Sequence, residues 1–220
     1  MQSQTALIVF AREPKLGKAK TRLAKSVGQE AALKFYEAFV NDVLKACKNY
    51  PVNKRFLFYA GSAQSLSFLN SFSQDFQLKR QFGKTLGDRM YYAARYCFQQ
   101  RFQKVIIIGT DCLTISTQDI ARAKKFLDNV PCVFGPSTDG GYYLIGLTRA
   151  DQRIFANVSW GTDSVLKKSV ANLNKLGWHH QTLNIREDID TVFDLRKFDK
   201  SKKDAKIAPN TRRLLARITI

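Results

Sequence analysis

The run KVIIIGTD (104–111) places four apolar residues in succession and then turns polar. A strand of that kind needs cover on both faces, which calls for a sheet sandwiched between helices. The rest of the chain agrees, because apolar runs alternate with stretches of helical periodicity from end to end. TALIVFA (5–11), RFLFYA (55–60), CVFGPS, YYLIGLT and HHQTLNI read as strands. QEAALKFYEAFVNDVLKACKN (29–49) reads as an amphipathic helix with Ala32, Phe35, Phe39, Val43 and Cys47 on one face. Helices are also expected over 63–72, within TLGDRMYYAARYCFQQRF, over 116–128, over 163–177 before Gly177, and at DTVFDLRKF. The expected fold is α/β with a mostly parallel central sheet.

A chain of 220 residues suits one sizeable core. We therefore expect one domain over 1–198, followed by a basic tail over 199–220. From Arg196 onward the chain has nine cations and two acids, the composition of a solvated extension. The opening MQSQTALIVFAREP lacks the cationic start and long apolar core of a secretory leader, and no run approaches the roughly 20 apolar residues of a membrane span. A cytoplasmic protein with no membrane partner is the expectation. Cys47, Cys97, Cys112 and Cys132 are far apart and form no CxxC pair, so they read as buried free thiols.

The net charge of +18 points to anionic partners: nucleic acid, acidic lipid or phosphorylated small molecules. Its densest segment outside the tail is AREPKLGKAKTRL (11–23), with five cations against Glu13. The fragment LGKAKT suggests a Walker A loop, but Arg12 stands where the first glycine should be and Ala19 where Ser or Thr should follow Lys18. No GxGxxG run follows a strand either. Ligands of open α/β sheets gather at the carboxyl ends of strands. There this chain has the basic loop after the first strand, Asp111 after the central one, and Asp188 and Asp190 after the last. Cations facing carboxylates in one cleft would suit a nucleotide or nucleotide sugar bound with Mg²⁺ or Mn²⁺, since such cations need only one or two protein carboxylates. The loop would then hold phosphates with side chains in place of a glycine nest.

Taken in order, FAREPKLGKAKTRLA, LGDRM, IIIGTDC, GPSTDGGYYLIGL, VSWGTDSVL and DIDT with a following DL resemble the DUF2064 family. These are glycosyltransferase-A-type (GT-A-like) proteins, also called radical-SAM/selenodomain-associated transferase 1 or CofC-like. The resemblance runs from about residue 5 to 196. It implies a three-layer nucleotide-diphospho-sugar transferase fold, related to the small nucleotidyltransferases. It also implies that Arg12, Gly17, Lys20, Thr21 and Arg22 face phosphates, that Gln81 and Gly87 lie beside the base, and that Asp111 and Asp190 hold the metal. The chain departs from the family pattern in two places: Leu113 replaces a proline, and Val192 and Phe193 replace Pro-Glu.

Each position also has a structural reading. Asp111 and Asp190 could cap the helices that follow them. Asp139, in STDGGYY, could form a turn, or it could act as the base that takes a proton from an acceptor hydroxyl. Tyr91, Tyr92, Tyr96 and Phe98 have core spacing, Trp160 could stack on a ligand or anchor a loop, and His179 and His180 lack partners at metal-ligand spacing. The expected function is metal-dependent transfer of a glycosyl or nucleotidyl group from a nucleotide or nucleotide sugar to a small acceptor. The alternative is a nucleic-acid-binding protein that uses its basic surface and tail.

Overall fold

The computed structural model describes residues 3–61, 66–201 and 207–218. Seven strands form one sheet: β1 (Thr5–Arg12), β2 (Lys54–Ala60), β3 (Gln77–Arg80), β4 (Lys104–Ile108), β5 (Cys132–Pro136), β6 (Tyr142–Leu147) and β7 (His180–Thr182). Their order is β3-β2-β1-β4-β6-β5-β7. Every pairing is parallel except those of β6, which runs against both β4 and β5. The fold is thus α/β with a mostly parallel central sheet, as expected.

The period-two geometry of strands builds two cores, one on each face. Leu7, Val9, Leu57, Ile106 and Ile108 pack on one face against α1 (Thr21–Val27), α2 (Gln29–Lys48), α5 (Thr117–Phe126) and α7 (Val192–Lys200). Ala6, Ile8, Phe10, Phe56 and Ile107 pack on the other, against α4 (Leu86–Gln99) and α6 (Val165–Lys175). All of β4 is buried, as four consecutive apolar residues require. A short α3 (Leu66–Asn70) falls within the helix expected over 63–72, of which residues 63–65 lie outside the described residues. All four cysteines are free and buried, and burial pushes the Cys47, Cys97 and Cys112 thiols up to about 12.

Two features differ from expectation. Strand β3 has no apolar run, because it is a sheet edge with no fully buried residue. The described part of the C-terminal stretch is not a solvated extension. Helix α8 (Pro209–Leu215) lies on α2, and Ile207, Leu214, Leu215 and Ile218 pack on the core. Its amino end is held by Asp42, whose buried carboxylate accepts from Asn210 N (3.0 Å) and Nδ2 (2.7 Å) and from Thr211 N (2.8 Å) and Oγ1 (2.7 Å). Among the described residues, no helix is long and apolar enough to cross a membrane.

Candidate active site

The carboxyl ends of β1, β4, β5 and β7 and the start of β6 surround a cavity of about 760 Å³. One wall is cationic, with Arg12 at the end of β1, Lys18 and Lys20 from the β1–α1 loop, Arg22 in the first turn of α1, Lys84 before α4 and Arg89 within it. The other is acidic, formed by Asp111, Asp139, Asp188 and Asp190.

Neither Asp111 nor Asp190 is consumed by helix capping. Helix α5 is capped by Ser116 in a reciprocal box with Asp119, and α7 by Thr191 in a box with Asp194. Backbone bonds bring the acids together. Ile189 N donates to Asp111 O (3.0 Å), while Arg186 N donates to Pro136 O (3.0 Å) and Thr138 N to Arg186 O (3.0 Å). The Arg186 guanidinium, paired with the buried Asp119 at 2.7 Å, fixes that segment from behind.

Lys20 reaches across from the cationic wall. Its buried ammonium lies 2.7 Å from Asp111 Oδ1 and 2.9 Å from Asp190 Oδ1, and donates to Ile189 O at 2.6 Å. Burial pulls the amine down, but the two carboxylates outweigh it and hold the amine above its ordinary range. Asp190 Oδ2 is 3.4 Å from Arg22 Nη1. Lys20, expected on phosphates, is therefore fully engaged with carboxylates, and Arg22 is partly so. A sequence shows charge but not which of two anionic groups a lysine will reach.

Asp188 is the acid whose environment the sequence least reveals. Among the described residues its buried Oδ1 has no hydrogen-bond partner, and burial, aided by the charges of Asp111 and Asp139, pushes the carboxyl up to about 7. Strongly perturbed acids lining clefts mark functional sites. The exposed Asp139 keeps both parts of its expected character. Its Oδ1 accepts from Ser137 Oγ (2.5 Å) and Gly141 N (3.0 Å) to form a turn, yet the residue lines the cavity. The turn depends on Gly140, at φ +85°, where a Cβ would lie 2.1 Å from Asp163 O.

The remaining candidates separate. Arg12 has an exposed side chain, while its backbone is clamped by Tyr36, whose hydroxyl accepts from Arg12 N (2.7 Å) and donates to Arg12 O (3.1 Å). Thr21 is exposed at the start of α1 and lines the cavity. Gln81 also lines it, with Nε2 tied to Ala11 O (3.2 Å) and Phe58 O (2.9 Å). Gly17 and Gly87 do not line it. Gly17 makes a turn at φ +72°, and a Cβ on Gly87 would meet Phe155 Cβ at 2.6 Å and Trp160 Cζ2 at 2.7 Å. Gly87 thus lets α4 approach Trp160, which itself lines the cavity. Among the described residues, no three His, Cys, Asp or Glu side chains converge into a ready-made metal cluster.

Residues 43–162 match the profile of DUF2064, described as an uncharacterized protein conserved in bacteria. The chain belongs to the DUF2064 family. This DUF2064 protein is similar to a crystal structure described as a candidate nucleotide-diphospho-sugar transferase from Desulfovibrio desulfuricans G20. The two share 26% identity and a TM-score of 0.86 over 98% of this chain and 95% of the other. It shares its fold with the inositol-1-phosphate CTP transferase from T. maritima, at 14% identity, TM-score 0.60 and 99% coverage of both chains. The manganese complex of Rv0371c from Mycobacterium tuberculosis H37Rv has the same fold, at 14% identity, TM-score 0.53, and 91% and 100% coverage. No curated protein sequence matches the chain. The likeness to the Desulfovibrio desulfuricans structure supports a transferase-like function.

Proposed function

We propose that this DUF2064 protein is a metal-dependent transferase that takes a nucleotide or nucleotide sugar and moves a glycosyl or nucleotidyl group to a small acceptor. The observation that carries the reading is the opposition of a cationic wall and four aspartates across one cavity at the strand ends. The solved relative with manganese and the one named for CTP transfer support the same direction.

The acids suit a hard divalent cation. They offer only oxygen, and Asp188 Oδ1 is a buried acceptor that no group among the described residues satisfies. Asp111 and Asp190 would hold Mg²⁺ or Mn²⁺, with Asp188 beside them. The ion would supply Lewis-acid stabilisation of charge on phosphate oxygens. Arg12 and Arg22 would pair with the phosphates, with the Thr21 hydroxyl beside them, and Gln81 would flank the base. Gly17 and Gly87 would serve by shaping the loop and the Trp160 wall. Asp139 would accept the proton leaving the acceptor's hydroxyl, steadied by Ser137 and Gly141.

The test is a thermal-shift panel of nucleotides and nucleotide sugars with and without Mn²⁺, with a DNA duplex in parallel. The proposal expects stabilisation by free nucleotides that depends on the metal. Stabilisation by the duplex alone, falling steeply with salt, would favour the nucleic-acid alternative. Release of pyrophosphate, as opposed to nucleoside diphosphate, would then identify nucleotidyl transfer.

A further inference from the structure

Every N–H of the Lys20 ammonium has an acceptor: Asp111 Oδ1, Asp190 Oδ1 and Ile189 O. A lysine in that state cannot donate to a phosphate without giving up one of the three. Its side chain is only 6% exposed and passes over the Phe39 ring, 5.5 Å from the centroid, so it is built into the core and is not a surface cation. The backbone is also specialised. Lys20 adopts φ 45° and ψ 49°, a left-handed conformation unfavourable for a residue with a Cβ, and it precedes α1 without providing a side-chain cap. Strain held at a cavity wall signals that the position of the side chain matters.

We propose that Lys20 is a resident counter-cation that competes with the divalent metal for Asp111 and Asp190. An entering metal displaces the ammonium and so frees it for the phosphates of the nucleotide. Metal and nucleotide binding are thereby coupled through one side chain, and the basic loop is latched to the acids until the metal arrives. Lys20 is a positioning residue here, acting through the two aspartates. The inference rests on the metal site proposed above.

Binding of Mn²⁺ alone, followed by its electron paramagnetic resonance signal, tests the idea without any turnover. Replacing Lys20→Met removes the competing charge but keeps the packing over Phe39, so Mn²⁺ should bind roughly tenfold tighter in the absence of nucleotide. The boost that Mn²⁺ gives to binding of a nucleoside diphosphate should shrink in the same variant. Lys20→Arg, which retains the charge, should not gain affinity for Mn²⁺ alone. A Lys20→Met protein that binds Mn²⁺ no better than the parent would overturn the inference while leaving the metal site intact. Absence of Mn²⁺ binding by both proteins, with or without nucleotide, would overturn the metal site together with it. Should Lys20→Met fail to fold, the charge-balanced Lys20→Met/Asp190→Asn protein serves instead. It should still bind Mn²⁺ more tightly than Asp190→Asn alone, and equal affinity would refute the competition.

Discussion

Asp42 and Asp188 are both withdrawn from water, and the protein treats them in opposite ways. Asp42, on α2, accepts four hydrogen bonds from Asn210 and Thr211. Asp188, beside the cavity, has a buried oxygen with no partner among the described residues and lies near three other acids. Charge-assisted bonds offset the desolvation of the first, whereas the second is left to an outside partner or a proton. The difference separates a carboxylate that holds the fold together from one kept available for chemistry.

Breaking the satisfied acid should have the largest effect on stability. Asp42→Ala strips four bonds from the α8 junction and leaves buried donors unpaired, so a loss of about 3 kcal/mol or more is expected in urea melts. Ending the chain at Ser201 should be similarly costly, because it uncovers the apolar surface under Ile207 and Leu214. Neither change should alter nucleotide affinity of the folded fraction. A chain ending at Ser201 with full stability would show that α8 is dispensable.

Relieving the unsatisfied acid should do the reverse. The folded Asp188 carboxyl holds its proton to about pH 7, whereas in the unfolded chain it loses it near the ordinary value of 3.8. Its contribution to stability is therefore present at low pH and is lost as pH rises through 7. Asp188→Asn cannot lose that proton, so it should raise stability by about 2 kcal/mol at pH 8 and change little at pH 4. Urea melts at the two pH values measure this, and equal destabilisation at both would mark Asp188 as a structural residue.

The half-exposed Asp111 sharpens the contrast further. Asp111→Asn should lower the melting temperature only modestly, because the buried Lys20 keeps Asp190 as a partner, while abolishing metal-dependent stabilisation by nucleotides. Undiminished metal dependence would remove Asp111 from the site. The smallest effect is expected across the cavity. Arg22→Ala should weaken a nucleoside diphosphate by about tenfold, or ~1.4 kcal/mol, and spare the uncharged nucleoside, as read by isothermal titration. Equal weakening of both ligands would place Arg22 on the base or the fold.

Much of the fold was legible because β4 and β1 are continuous apolar runs and the amphipathic helices keep their period. The edge strand β3 was not, since with no fully buried residue it has no apolar signature. The docking of α8 was hidden by charge. Arg212 and Arg213 dominate the composition, while the residues that decide its placement are Thr211, Ala208 and a distant aspartate. At the site, the strand-end acids and the basic loop could be picked out from position and charge. Their pairing could not, because Asp188 and Asp190 are two residues apart in an extended segment and differ only in what the fold places around them. That Lys20 would meet carboxylates likewise depends on strand order.

The reversed direction of β6 gives the two cavity walls different mechanics. Because β5 and β6 are antiparallel neighbours, five residues suffice to carry the chain between them, and Asp139 sits on that short span. Backbone bonds from Ser137, Thr138 and Gly140, together with Leu166 N donating to Gly140 O, tether it on several sides. The opposite wall is a longer arm, residues 13–20, tied to β2 where Glu13 N donates to Ala60 O (2.7 Å), seated by the buried Ala19, and joined across the cavity by the Lys20 ammonium on Asp111 and Asp190. Amide hydrogen exchange should find the hairpin slow to open and the arm fast. Adaptation to ligands of different length would then fall to the cationic arm, while the acidic wall supplies a fixed frame of reference.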